Sequence, residues 1–316
     1  MISILNAYKS GLKIAWAQKK MLLFIYFINL IFAYLMTLPF SMIISGALKN
    51  TIMADKLLNA FDYTALSTIM NEFGAGFSFG SVLFVYGIFY LLLNTFFAGG
   101  IISLFHEEEN FSLKQFLSGS IEFFKRFLRL FLISLIFIIV AFLIYSALGG
   151  FFGLFTKNTI TEFWPFVLFF VRILILGILL ALVNMIFDYA KIITVVNDFT
   201  GMWKSTKNAI MFVMMSFRKT SGLYGLYFFT ASLLIIIYLL IESYLHVGSG
   251  LMVFVFFIFT QIYMLFKMWI RLSFFGGQYV FYKHSNTAMP GMTKEMLDMA
   301  VAEYENREAK GEEREA

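Results

Sequence analysis

Long apolar runs alternate along the chain with shorter segments in which charged residues recur every three or four positions, and the two patterns predict different kinds of helix. Six runs, 21–44, 81–102, 130–154, 165–187, 223–244 and 251–270, are long enough to cross a hydrocarbon core, which takes about 20 residues at about 1.5 Å rise per residue. The segments that lead into the first, third and fifth runs read instead as amphipathic helices. In the first, Leu5, Tyr8, Leu12 and Trp16 share a face, with Lys9, Ser10 and Lys13 off it. In the second, Leu113, Phe116, Leu117, Ile121, Phe124 and Leu128 recur at helical spacing against Lys114, Ser118, Glu122, Lys125 and Arg129. In the third, Phe199, Trp203, Ile210, Val213 and Phe217 oppose Lys204, Lys207 and Asn208.

The local texts rhyme. Tyr8-Lys9-Ser10-Gly11, Phe116-Leu117-Ser118-Gly119 and Trp203-Lys204-Ser205-Thr206 hold matching places ahead of a basic cluster and a span. Phe96-Phe97-Ala98-Gly99-Gly100 and Phe274-Phe275-Gly276-Gly277-Gln278 close two of the even spans, and Ile186-Phe187-Asp188-Tyr189-Ala190 closes the third. The expected architecture is all-α: a polytopic membrane protein of six transmembrane helices and three interfacial amphipathic helices. Its expected unit is interfacial helix, span, outer loop and span, repeated three times in one orientation and so related by an axis along the membrane normal. The units are 1–102, 103–187 and 188–282, followed by a tail at 283–316. The plainer alternative is that any basic segment before a span takes on this look.

Composition narrows the class. Apolar residues make up 60% of 316, charged residues only 14%, and mean hydropathy is +0.83, values that exclude an ordinary soluble domain. Forty-two phenylalanines and three prolines suit long helices rather than the alternating short strands of a barrel. Twenty of the 24 Lys and Arg fall in the segments before odd spans and at or beyond the ends of even ones, Lys267 among them, against Lys49, Lys56 and Lys157 on the other side. That asymmetry predicts both termini in the cytoplasm, with the chain in a bacterial inner membrane. It also accounts for the basic pI of about 9.1 without nucleic acid. The first span is too long, and too far from the amino terminus, for a cleavable signal. Cysteine is absent and the three histidines lie in separate segments, so no metal, haem or other cofactor site is expected.

Charges within the apolar runs point to function or to a structural clamp, because an ionised group at mid-bilayer costs roughly 3 kcal/mol or more. Arg172 and Glu242 lie at similar depths, which predicts an ion pair between the fourth and fifth spans. Asn29, Asn94, Asn184 and Gln261 are read as helix-joining hydrogen-bonding residues or as substrate contacts. Asp188 and Lys191, one turn apart, read as a local pair, and His106-Glu107-Glu108-Glu109 as a solvated turn. Gly149 and Gly153 form a GxxxG step, and Gly76 and Gly80 another; with Gly99 and Gly276 they are candidates for close helix packing. The segment 45–80 is expected to form an amphipathic outer cap, and the tail beyond Met292, with four basic and eight acidic residues, a short helix and a disordered acidic end. No nucleophile elbow, phosphate loop or dinucleotide fingerprint occurs, so an enzyme is the weaker class.

Phe97 to Ile101, the segment Phe116 to Leu130 and Phe187-Asp188-Tyr189-Ala190-Lys191 carry a resemblance to bacterial six-span proteins of unknown function. The same residues resemble the membrane domain attached to some glycerophosphodiester phosphodiesterases. The resemblance implies a fold and a membrane role without hydrolysis, because the soluble catalytic domain of those fusions is missing. The expected function is non-enzymatic binding or organisation of phospholipid, by a single chain or a homo-oligomer. Lys9, Lys13, Lys125, Arg126, Arg129, Lys204 and Lys207 would meet the headgroups. The alternatives are a flippase-like permease for an amphiphilic solute that uses Arg172 and Glu242, and an accessory subunit of a larger membrane complex with an unknown protein partner.

Overall fold

The computed structural model describes residues 3–48, 75–107, 110–156, 163–244 and 250–288, and all its regular structure is helical. The helices are α1 (Ile4–Ala17), α2 (Lys19–Leu48), α3 (Ala75–Glu107), α4 (Leu113–Thr156), α5 (Phe163–Val196), α6 (Met202–Met215), α7 (Phe217–Tyr244) and α8 (Gly250–Ala288). Six of them, α2, α3, α4, α5, α7 and α8, are long and apolar enough to span a membrane, which makes this an integral membrane protein. Cross-contacts fix their alternation. Tyr86 of α3 donates to the Leu35 carbonyl of α2 at 3.0 Å, Phe137 of α4 meets Phe187 of α5, and Tyr238 of α7 meets Phe259 of α8. The start of α1 and the end of α8 therefore share one end of the bundle, called the terminal end below.

The spans do not stop where apolarity does. α4 runs unbroken for 44 residues, about 66 Å, and α8 for 39. The hydrocarbon core is only about 30 Å thick, so these helices extend well past it. Protein packing sustains the extensions. The fully buried side chains Phe116, Phe127, Tyr189, Phe281, Met21, Ile102 and Leu104 all belong to the terminal-end part of the bundle. Farther along, only Ser134 and Ala141 are buried within 132–155, and no residue is buried within 163–184, 228–244 or 251–269. Bulky groups such as Phe84, Leu143, Phe170, Ile236 and Phe254 face outward there, a surface that suits acyl chains.

Close approach at the terminal end depends on small residues. Ala7, Gly11 and Ala15 form the buried face of α1, and Gly11 lies against Ser273 and Gly277 of α8. Gly99 and Gly100 of α3 meet Gly119, Ser120 and Phe116 of α4. Ser205 of α6 shares a 3.0 Å hydrogen bond with Thr194 of α5. The bulky apolar residues of these segments lie away from those contacts: Leu5 and Trp16 are exposed, as are Leu113 and Ile121 of α4 and Trp203 of α6. Large apolar side chains would hold the backbones apart, whereas Gly, Ala and Ser let them touch.

The expectation of a separate second amphipathic helix is also corrected, because 113–130 runs straight into the span within α4. At the other two junctions the break is a single residue, Gln18 (φ −92°, ψ 41°) and Ser216 (φ −110°, ψ 21°), and the hydrogen bonds into and out of each are helical, with Gln18 N–H on the Ile14 carbonyl and Ser216 N–H on that of Phe212. These are kinks rather than linkers. The outer cap at 45–80 falls mostly outside the described residues, as does the acidic tail.

α5 ends in a true stop. Phe199 N–H bonds the Thr194 carbonyl at 3.2 Å and Asp198 N–H that of Val195 at 3.4 Å, with Asp198 left-handed at φ 48°. This double bond pattern is a Schellman motif, in which the left-handed position favours glycine. Asp198 holds it while its carboxylate pairs with Arg126 of α4. Asp198→Gly and Asp198→Ala both remove that exposed ion pair, but only alanine keeps the Cβ penalty. The glycine variant is expected to be the more stable by about 1 kcal/mol in thermal unfolding, and equal melting points would refute this account of the stop.

Candidate functional site

A buried polar cluster joins three spans at the terminal end. Asp188 on α5 is only 5% exposed in a chain with few buried charges. Its Oδ1 accepts from Lys191 Nζ at 3.2 Å, and its Oδ2 from the Tyr224 hydroxyl of α7 at 2.5 Å and from Asn184 Nδ2 at 3.4 Å. The Tyr224 hydroxyl in turn accepts from Nε2 of Gln278 on α8 at 2.8 Å. A directed chain therefore runs amide, phenol, carboxylate across α8, α7 and α5. One carboxylate with one ammonium and neutral donors makes an interhelical clamp, and among the described residues no histidine or nucleophile touches it.

Reading Asp188 and Lys191 as a local pair captured one oxygen of the carboxylate and missed Tyr224 and Gln278. Part of the signal was present: a carboxylate in apolar surroundings has more lone pairs than one lysine satisfies.

Arg172 and Glu242 do not pair. The Arg172 guanidinium lies 4.2 Å from the Tyr145 ring centre, and a Cβ built on Gly149 would stand 2.7 Å from it. Both contacts are on α4, because α5 packs along α4 and not along α7 at that depth. The ion pairs among the described residues are Arg126–Asp198 and Lys191–Asp188. Gly149 thus serves as a seat for a cation, while a Cβ on Gly153 would meet open space. Gly99 lies within 3.2 Å of the Gly119 carbonyl oxygen, measured from such a Cβ, and Gly276 within 3.4 Å of the Gly11 Cα.

The other intramembrane polar residues have separate places. Gln261 accepts from the Tyr26 hydroxyl at 2.8 Å, tying α8 to α2. Asn184 belongs to the Asp188 cluster. Asn94 donates to its own helix at the Tyr90 carbonyl, 2.7 Å away, and faces a groove between α2, α3 and α8. Of the basic candidates, Lys9, Lys13, Lys125, Arg129, Lys204 and Lys207 are exposed at the terminal end. Arg126 is half-buried, paired with Asp198 and set 5.2 Å from the Phe123 ring centre. No group of metal-ligating side chains occurs among the described residues. The chain matches no protein-family model, no curated protein and no solved structure, and its role is read from its own residues.

Proposed function

We propose that this chain is a non-enzymatic membrane protein that binds or organises phospholipid, built from three parallel units and oriented with both termini in the cytoplasm of a bacterial inner membrane. The observation that carries this reading is the surface of the three helical segments that lead into odd spans. Each turns bulky apolar side chains outward beside exposed cations: Leu5 and Trp16 with Lys9 and Lys13, Leu113 and Ile121 with Lys125 and Arg129, Trp203 with Lys204 and Lys207. That pairing suits the acyl boundary below and anionic headgroups above, with each surface cation adding about 1 kcal/mol of attraction. The parallel repeat is supported by the three small-residue contacts, α4 on α3, α6 on α5 and α1 on α8, in which each lead-in segment rests on the exit of an even span.

Native mass spectrometry of the protein extracted gently from its own membrane tests this reading and counts the subunits. Anionic lipid is expected to remain bound, and to fall severalfold when Lys9, Lys13, Lys125, Arg129, Lys204 and Lys207 are all changed to Gln. Unchanged lipid in that variant would remove the main support. A stoichiometric foreign polypeptide would favour the accessory-subunit reading. The permease reading would use Arg172, which stacks on the Tyr145 ring and makes no ion pair with a described residue.

A further inference from the structure

A groove open to the surface runs between α2, α3 and α8, with about 430 Å³ of space along its walls when the open surroundings are included. Most of its wall is apolar, with Ile25 from α2, Ala98 from α3 and Leu272 and Phe275 from α8. Three polar residues interrupt that wall: Asn29, Asn94 and Arg271.

Arg271 is exposed and makes no hydrogen bond, ion pair or ring contact with any described residue, although it belongs to a helix that qualifies as a span. A guanidinium with no counter-ion among the described residues, at the edge of an apolar groove, suits an anion. The two asparagines are differently placed. Asn29 Nδ2 donates to the Ile25 carbonyl at 2.8 Å and Asn94 Nδ2 to the Tyr90 carbonyl at 2.7 Å, contacts that fix both side chains against their own helices. Each amide keeps its oxygen and one N–H for another partner.

The order of these groups along the groove follows from the helix register. α3 and α8 run in the same direction, and His106 of α3 meets Tyr279 of α8. Eight residues back along each helix, Arg271 stands level with Ala98. Asn94 lies four residues deeper, about 6 Å farther from the terminal end. The groove therefore presents a cation at its outer level, amides one turn below and apolar wall around both.

We infer that this groove is a binding site for a single anionic amphiphile, with its phosphate or carboxylate on Arg271, ester or hydroxyl groups at Asn94 and Asn29, and an acyl chain along the apolar wall. The sequence of charge, polar linker and chain is that of an anionic glycerophospholipid, and a free fatty acid shares the anion and the chain but lacks the linker. The inference rests on the lipid-binding reading above and adds to it one specific, saturable site distinct from the exposed cations of the lead-in segments.

The test uses the full chain, delipidated in detergent and titrated separately with phosphatidylglycerol, phosphatidylcholine and oleate, with bound molecules counted by native mass spectrometry. Wild type is expected to hold one phosphatidylglycerol more tightly than phosphatidylcholine. Arg271→Gln is expected to weaken that binding about tenfold or more, the loss of a charge-assisted contact. Arg271→Lys should retain part of it, and Arg218→Gln, an exposed cation at the same end but outside the groove, should match wild type. Tight binding of phosphatidylglycerol alone identifies a phospholipid, and equal binding of oleate identifies the anion and chain as sufficient. If wild type binds lipid and Arg271→Gln binds it equally well, the site is overturned while the lipid-binding reading stands. If wild type binds none of the three, both fall.

Discussion

Replacing Gly11 with alanine is expected to be the most damaging of the small changes at the terminal end, because the added methyl group has nowhere to go. A Cβ at Gly11 would stand 2.6 Å from the backbone nitrogen of Gly277 and would also overlap the Ser273 carbonyl oxygen and the Tyr227 hydroxyl. Two of those three obstacles are main chain of α8, which cannot rotate aside as a side chain can. α1 would have to lift away as a unit. That movement would strain the Tyr8–Thr230 hydrogen bond of 2.9 Å, and would cost the 3.3 Å bond from Tyr227 to the Tyr8 carbonyl. Overpacking typically costs about 1–3 kcal/mol and each lost hydrogen bond about 1, so a loss of about 3–5 kcal/mol is expected. The same substitution at Gly276 should cost about 1 kcal/mol or less, since there the nearest atoms are an ordinary 3.4–3.5 Å away. Thermal unfolding in detergent compares the two directly. Equal melting points for Gly11→Ala and Gly276→Ala would mean that α1 is not seated on α8 as described.

Removing the carboxylate of Asp188 is the second large effect. In Asp188→Ala the Tyr224 hydroxyl loses its acceptor at 2.5 Å and Lys191 loses its counter-ion, while Gln278 keeps Tyr224 fixed from the other side. Breaking a buried pair by deleting one partner costs about 3–5 kcal/mol. The lower end applies, because the Lys191 side chain is 24% exposed and reaches water. Asp188→Asn keeps an oxygen for Tyr224 and loses only the charge, so about half that cost is expected. Tyr224→Phe leaves the carboxylate with Lys191 and Asn184 and should cost about 1–3 kcal/mol. The ranking Ala, then Asn and Phe, then wild type in unfolding experiments would establish the clamp. An alanine variant as stable as the wild type would show that the three helices hold together without it.

Some of this was legible along the chain and some was not. The six spans were, because hydropathy and length are local properties: each apolar run from 21–44 to 251–270 lies inside one of the long helices. How far the helices run beyond the apolar stretches was not legible. α3, α5 and α8 continue to Glu107, Val196 and Ala288, and buried polar residues in those extensions, Ser103, Thr194 and Gln278, hydrogen-bond to side chains on the same or neighbouring helices. A window scored on apolarity stops where such residues begin. The small-residue faces on which the lead-in segments pack, Ala7, Gly11 and Ala15 on α1, were not read from the sequence. Periodic bulky residues such as Leu5 and Trp16 mark a surface that avoids water, and in a membrane that surface has lipid available as well as protein.

Amino-acid order alone thus determined that the described residues are helical, that six helices are long and apolar enough to cross a membrane, and that the cations gather before odd spans and after even ones. Partnership was decided only by the tertiary structure. Arg172 rests on Tyr145 and Gly149 instead of Glu242, Asp188 reaches Tyr224 and through it Gln278, and Gly11 finds Gly277 across most of the length of the chain. Such choices depend on which helices fit backbone to backbone and on which buried donor meets which acceptor. Within a bilayer, hydrophobicity scarcely distinguishes one apolar helix from another as a neighbour, so shape and hydrogen bonding between distant residues make the selection.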